Sequence, residues 1–215
     1  MIYAIIPAAG QSRRMGRPKL SLPLGNHPIL YWVIASLKTA GIAEILVVAG
    51  PRVLELGPIA KEAGAHFLGL ENDTADMRET VTHGLSWLEN RFHPQPNDAW
   101  LLVPADHPTL SALTTRRVIS GFLEKPECSI CIPVYNGKRG HPTLIAWRHV
   151  SAIKNLPDGV GLNHFLRGQT KEIREIPVNS STVLQDLDTP EDYEKLLRRW
   201  DSGTITSPQR EQGLE

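Results

Sequence analysis

Cysteine is scarce in this chain. Cys128 and Cys131 are the only two in 215 residues, spaced C-x-x-C. Alone, that spacing suits half a zinc site or a redox pair. No second pair completes a zinc site, and residues 129–133 read as a buried strand. Positions three apart on a strand face opposite ways, which prevents joint ligation. Two core thiols in a reducing compartment is the better account. Net charge is missing as well: 23 basic residues balance 23 acidic ones. Binding to polymeric nucleic acid usually needs a basic excess, so nucleic acid is excluded as a partner. Long apolar runs are absent too. The longest, such as residues 45–49, are far too short to span a bilayer, which excludes a membrane-spanning segment. Met1 to Pro7 has no basic n-region and no extended h-region, so it reads as a first buried strand and not a signal peptide. A cytoplasmic protein is expected.

What is present is an ordinary hydrophobic content of 41%, enough for one domain with a full core. We assign residues 1–200 to that domain. Residues 201–215 are polar, with Gly, Ser, Pro and Gln, and are expected to form a disordered tail. Continuous apolar runs at 3–6, 44–49, 66–70, 100–103 and 129–133 suggest strands buried on both faces. Helical stretches lie between them. Ile29, Trp32, Val33, Leu37 and Ala40 share one face, and Gly41 stops that helix. Residues 80–88 and 111–123 behave alike, with Ser111 an N-cap. Short helices are expected at 148–156 and 162–167, a late strand at 172–178, and a last helix from Pro190 with Thr189 as its cap. Tyr135-Asn136-Gly137-Lys138-Arg139-Gly140 is turn-rich and precedes a strand-like run at 143–146, which reads as an inserted β-hairpin or lid. The alternation predicts an α/β fold: three layers around a mostly parallel, Rossmann-like sheet.

The first strand runs into Ala8-Ala9-Gly10-Gln11-Ser12-Arg13-Arg14-Met15-Gly16-Arg17-Pro18-Lys19. Small residues let backbone approach a ligand closely, and consecutive N–H groups in such a loop form an anion nest. Ligands bind at the carboxyl ends of strands in open α/β sheets, where this loop begins. Together with three arginines and a lysine, these features indicate phosphate. A plain basic surface loop is the alternative. The segment is not a Walker A loop, because Gly16 lies six positions beyond Gly10 instead of five and Lys19 follows Pro18. G-x-G-x-x-G is absent as well.

This stretch resembles the P-A-A-G-x-S-x-R-M-G-x-x-K motif of nucleotidyltransferases of the molybdopterin cytidylyltransferase and guanylyltransferase type. Pro104-Ala105-Asp106-His107-Pro108 resembles the family's D-x-P, and Asn136 to Pro142 its N-G-x-x-G-H-P. Asp186 to Tyr193 is similar to D-I-D-T-P-E-D-Y. The last two motifs favour the cytidylyltransferase branch. The resemblance implies the nucleotidyltransferase fold and an enzyme that moves NMP, with CTP the favoured donor, onto a phosphorylated acceptor such as molybdopterin. Mg²⁺ would be the cofactor, and a molybdoenzyme a possible partner. A sugar phosphate acceptor is an alternative, as is a non-catalytic, chaperone-like nucleotide binder.

Site residues follow. Asp106, just past a buried strand, is either a turn-former before Pro108 or a metal ligand. Magnesium takes one or two carboxylates plus phosphates and waters. Asp188 is the second candidate ligand or a helix cap, with Asp186 in reserve. Arg14 and Lys19 would act with Asp106 in catalysis by holding the leaving pyrophosphate. Ala8, Ala9, Gly10, Arg13, Gly16, Asn72 and Thr80 are expected at the nucleotide. Lys138, Arg139, Gly140 and His141 are expected at the acceptor, with His141 exposed on its hairpin. In one place the chain departs from the pattern: Asp76 stands where the family has glycine, and a carboxylate near phosphates is unhelpful unless it meets metal or sugar.

Overall fold

The computed structural model describes residues 1–10, 12, 14–125 and 127–205. The expected nucleotide contact of Arg13 and most of the expected tail lie outside the described residues. The elements run β1 (Ile2–Ala8), β2 (Pro23–Leu24), β3 (His27–Pro28), α1 (Ile29–Thr39), β4 (Glu44–Ala49), α2 (Leu56–Glu62), β5 (His66–Gly69), α3 (Met77–Phe92), β6 (Ala99–Leu102), α4 (Ala112–Glu124) and β7 (Ile130–Tyr135). They continue as β8 (Lys138–Arg139), β9 (Thr143–Ala146), α5 (Val150–Lys154), α6 (Leu162–Gly168), β10 (Ile173–Pro177) and α7 (Pro190–Asp201).

The main sheet has the order β10-β7-β9-β6-β1-β4-β5, with β8 paired to β7. β1 lies parallel to both β4 and β6, β5 is parallel to β4, and β10 to β7. β9 is antiparallel to both of its neighbours. The sheet is therefore mostly parallel, as the alternating pattern implies. Side chains of β1 divide between its faces in the strand period of two. Ala4, Ile6 and Ala8 join a core with α1, α2, α4 and α7, whereas Tyr3 and Ile5 join another with α3, α5 and α6. Burial on both faces explains why these strands read as unbroken apolar runs.

Helix ends follow the local chemistry. Gly41 takes φ +93 beyond α1, and Ile42 N–H reaches back to Leu37 O at 3.0 Å, a glycine-terminated end that a side chain would strain. Ser111 accepts from Thr114 N–H at the start of α4. Thr189 and Asp192 form a reciprocal capping box at α7. Helix α2 was not among the expected elements, and it contains Gly57 and Pro58. Both sit in its first turn, where proline lacks no needed donor, and Gly57 lies against Phe67.

Two expectations are corrected here. The inserted β-hairpin is present, with β7 and β8 paired antiparallel, but the segment that follows is not a lid. Asn136 and Gly137 both take positive φ in a tight turn between β7 and β8, as Asn-Gly favours. The chain then returns, and β9, buried along its whole length, enters the sheet between β6 and β7. Four buried positions in a row cannot serve as a solvent-facing lid. Nor are both thiols core residues. Cys131 is fully buried on β7, but Cys128 precedes the strand and is only partly covered. Burial pushes the Cys131 thiol up to about 11.

Candidate active site

β1 and β6 are parallel neighbours with Ile5 opposite Leu102, so the loops leaving their carboxyl ends emerge side by side. One loop carries Ala8 to Lys19 and the other carries Asp106. The segment after β10 comes to the same place, because Leu187 N–H donates to Asp106 O at 3.0 Å. Between these segments lies a cleft of about 490 Å³ lined by Ala8, Ala9, Gly10, Thr80, Asp106, His141, Asp186 and Asp188, among others. Gly10 and Asp106, each expected just past a buried strand, both line it.

Lys19 does not itself line the cleft but bonds two of the carboxylates that do. Its Nζ donates to Asp106 Oδ2 at 2.6 Å, Leu187 O at 2.8 Å and Asp188 Oδ1 at 2.9 Å. Burial works against the charged ammonium, but the hydrogen bonds and charges of Asp106 and Asp188 outweigh it, and the pKa of Lys19 is raised. Arg14, largely exposed, reaches Asp188 Oδ2 at 3.1 Å. Two carboxylates thus converge on one cation at the cleft wall. No group of three His, Cys, Asp or Glu side chains suited to a metal occurs among the described residues. The donor set nonetheless fits Mg²⁺, which takes one or two carboxylates and leaves its other positions to phosphates and waters.

Other sequence-derived candidates divide. Thr80 is buried at the cleft, its Oγ1 2.6 Å from Thr74 Oγ1. Asn72 is exposed, and neither it nor Gly16 lines the cleft. Arg139, Gly140 and His141 line an adjoining cavity of about 280 Å³ that shares Met77 and His141 with the main cleft. Lys138 lines neither, and Arg139 is engaged by Glu175 at 2.8 Å. Asp76 does line the cleft, yet its carboxylate accepts from Glu79 N–H at 2.8 Å as the N-cap of α3. Capping is a sufficient reason for an aspartate where the family has glycine.

His141 is not the exposed residue expected. Its ring packs edge-on to His107, with centroids 5.5 Å apart, and its Nδ1 is buried. The cause is the entry of β9 into the sheet directly after it. Burial, reinforced by His107, lowers its pKa to about 4, so it is neutral near pH 7. His107 itself received no role from the sequence, although it sits inside the Asp106 motif. Its Nε2 lies 2.6 Å from Asp186 Oδ1. That hydrogen bond is the main cause holding the Asp186 carboxyl below its ordinary range. Pairing across so many residues leaves no local signal in a sequence.

The fold and cleft define an α/β protein with a glycine-containing loop and paired carboxylates at one sheet edge. Residues 4–174 match the MobA-like NTP transferase domain, and the chain belongs to that family. It is 31% identical over 134 residues to the 2-C-methyl-D-erythritol 4-phosphate cytidylyltransferase of Salinibacter ruber, matching 60% of this chain and 54% of that protein. The chain thus spans about half the length of that relative. It is 23% identical over 193 residues to the molybdenum cofactor cytidylyltransferase of Escherichia coli, covering 89% of this chain and 93% of that one. A Mycobacterium tuberculosis H37Rv protein, solved in complex with manganese, shares the fold with TM-score 0.71 and 23% identity, over 92% of this chain and 98% of the other.

Proposed function

We propose that this chain is a nucleotidyltransferase that moves NMP from an NTP, with CTP favoured, onto a phosphorylated small-molecule acceptor. A phosphate oxygen of the acceptor attacks the α-phosphorus, the bond from that phosphorus to the bridging oxygen breaks, and pyrophosphate leaves with the electron pair. The observation that carries the reading is the convergence of the Ala8–Ala9–Gly10 loop with Asp106 and Asp188 in one cleft, with Lys19 bonded to both carboxylates. Such transfers need positioning and charge neutralisation more than covalent help. Asp106 and Asp188 would hold Mg²⁺, which when bound neutralises phosphate charge. Lys19 and Arg14 supply fixed positive charge toward the leaving pyrophosphate. Ala8, Ala9, Gly10 and Thr80 border the nucleotide. His141, neutral, donates or accepts a hydrogen bond at the acceptor with Arg139 and Gly140, and no general base is needed because a phosphate is already ionised.

The two curated relatives support different acceptors, a polyol phosphate and the molybdenum cofactor. We favour the molybdopterin type, on the full-length match to the E. coli protein and the G-H-P motif at Gly140–Pro142. A cytoplasmic setting and a molybdoenzyme partner belong to the same reading. The test is pyrophosphate release with CTP or GTP and each acceptor class, with Mg²⁺ supplied or chelated. Release that prefers GTP, needs no divalent cation, or occurs with the polyol phosphate alone overturns the corresponding part.

A further inference from the structure

The proposed transfer uses Asp106 and Asp188 but gives no task to His107 or Asp186, which line the same cleft. His107 is 1% exposed, and its Nε2 meets Asp186 Oδ1 at 2.6 Å. Its Nδ1 is buried without a hydrogen-bond partner among the described residues. An unpartnered buried nitrogen costs free energy, so packing alone does not account for a histidine here. The bond to Asp186 does. His107 adjoins Asp106, and Asp186 lies just before Asp188, so this contact joins the two segments that carry the converging carboxylates. Leu187 N–H to Asp106 O is the neighbouring backbone tie. Lys19 also bridges the segments, but it does so through the carboxylate oxygens that a cation would occupy. The His107–Asp186 bond leaves those oxygens free.

We propose that His107 is a positioning residue, which by fixing Asp186 holds the Asp188 carboxylate opposite Asp106 in the arrangement a divalent cation needs. The inference rests on the metal-dependent reading above. Partners that orient metal-bound carboxylates typically matter about 10- to 100-fold in metal affinity.

The experiment titrates the full chain with Mn²⁺, following free ion by electron paramagnetic resonance, with a non-hydrolysable CTP analogue present. Melting curves report folding separately. His107→Phe keeps a ring but loses the bond; His107→Gln places an amide nitrogen near Nε2. We expect His107→Phe and Asp186→Ala each to weaken Mn²⁺ binding roughly tenfold or more, and His107→Gln to stay within about threefold of the parent. The double variant should bind no more weakly than either single, because both remove one interaction. If His107→Phe does not fold, His107→Leu, which also loses the bond to Asp186, is titrated in its place. His107→Phe binding Mn²⁺ like the parent overturns the inference, as do additive losses. A loss in Asp186→Ala alone makes Asp186 itself a ligand and also overturns it. A parent chain that binds no Mn²⁺ overturns the metal-dependent reading as well, so the two failures are distinct.

Discussion

Lys19 commits its ammonium to Asp106, Asp188 and the Leu187 carbonyl. Alanine at 19 leaves Asp106 and Asp188 facing each other with the exposed Arg14 at Asp188 as the remaining counter-charge, and in the proposed transfer it removes charge from the leaving pyrophosphate. We expect Lys19→Ala to lower turnover about 10²- to 10³-fold, the usual loss for one preorganised electrostatic contact. Arginine should not restore it, since a planar fork does not reproduce a compact ammonium. Asp106→Asn separates ligand from turn-former. It keeps turn propensity and loses charge, so pyrophosphate release should fall by roughly 3 kcal/mol in transition-state stabilisation. Near-normal release at saturating Mg²⁺ makes Asp106 a turn residue only. Cys131 offers a simpler check. Its thiol is buried and raised to about 11, and thiolate is the reactive form. A thiol reagent at pH 8 should therefore modify the native protein at Cys128 only, and a second fast equivalent contradicts the buried strand.

At the level of elements, the cap of α3 answers the puzzle of Asp76. Asp76→Ala should cost about 1 kcal/mol of stability in chemical denaturation while changing kcat/KM little. A tenfold loss of kcat/KM in a folded variant makes Asp76 a substrate contact. Gly140 is more demanding. A Cβ there would lie 2.3 Å from Val183 O, and backbone cannot yield as a flexible side chain does. Strand β4 was legible in the sequence, because residues 45–49 form an unbroken apolar run between Glu44 and Gly50, and Ser111 and Thr189 announced their helices by cap chemistry. The place of β9 was not legible. A short apolar strand carries no mark of which neighbours it pairs with, and here one of the two, β6, is remote in sequence. The different partners of Asp186 and Asp188 were hidden for the same reason: they lie two apart in one segment, and contacts remote in sequence, to His107 for one and to Lys19 and Arg14 for the other, distinguish them.

For the whole molecule, buried neutral histidine sets a pH dependence. His141 has an ordinary value of 6.5 and is lowered to about 4 by burial first and by His107 second. Between those values the unfolded chain binds a proton that the folded chain refuses, so stability rises with pH across that window. Burial lowers His149 in the same direction. Asp186, lowered chiefly by its bond to His107, adds stability that is present above its ordinary carboxylate range and lost below it. We expect the melting temperature to climb from pH 4 to 6.5 and then level, with His141→Gln removing part of the climb, up to about 3 kcal/mol. A melting temperature that is flat over this range contradicts a buried His141.

The strand order has a consequence for synthesis. Chains fold from the N-terminus as they leave the ribosome, and β1, β4, β5 and β6 are parallel neighbours that are all translated before residue 103. At that stage Lys19 is present and Asp106 follows shortly, but Asp188 arrives only after β9 has wedged in beside β6 and β10 has closed the far edge. The order of translation acts as an interlock. A truncated product that ends with β10 would carry Asp106 without Asp188, half of the proposed carboxylate pair, although residues 139–141 of the proposed acceptor wall are already made.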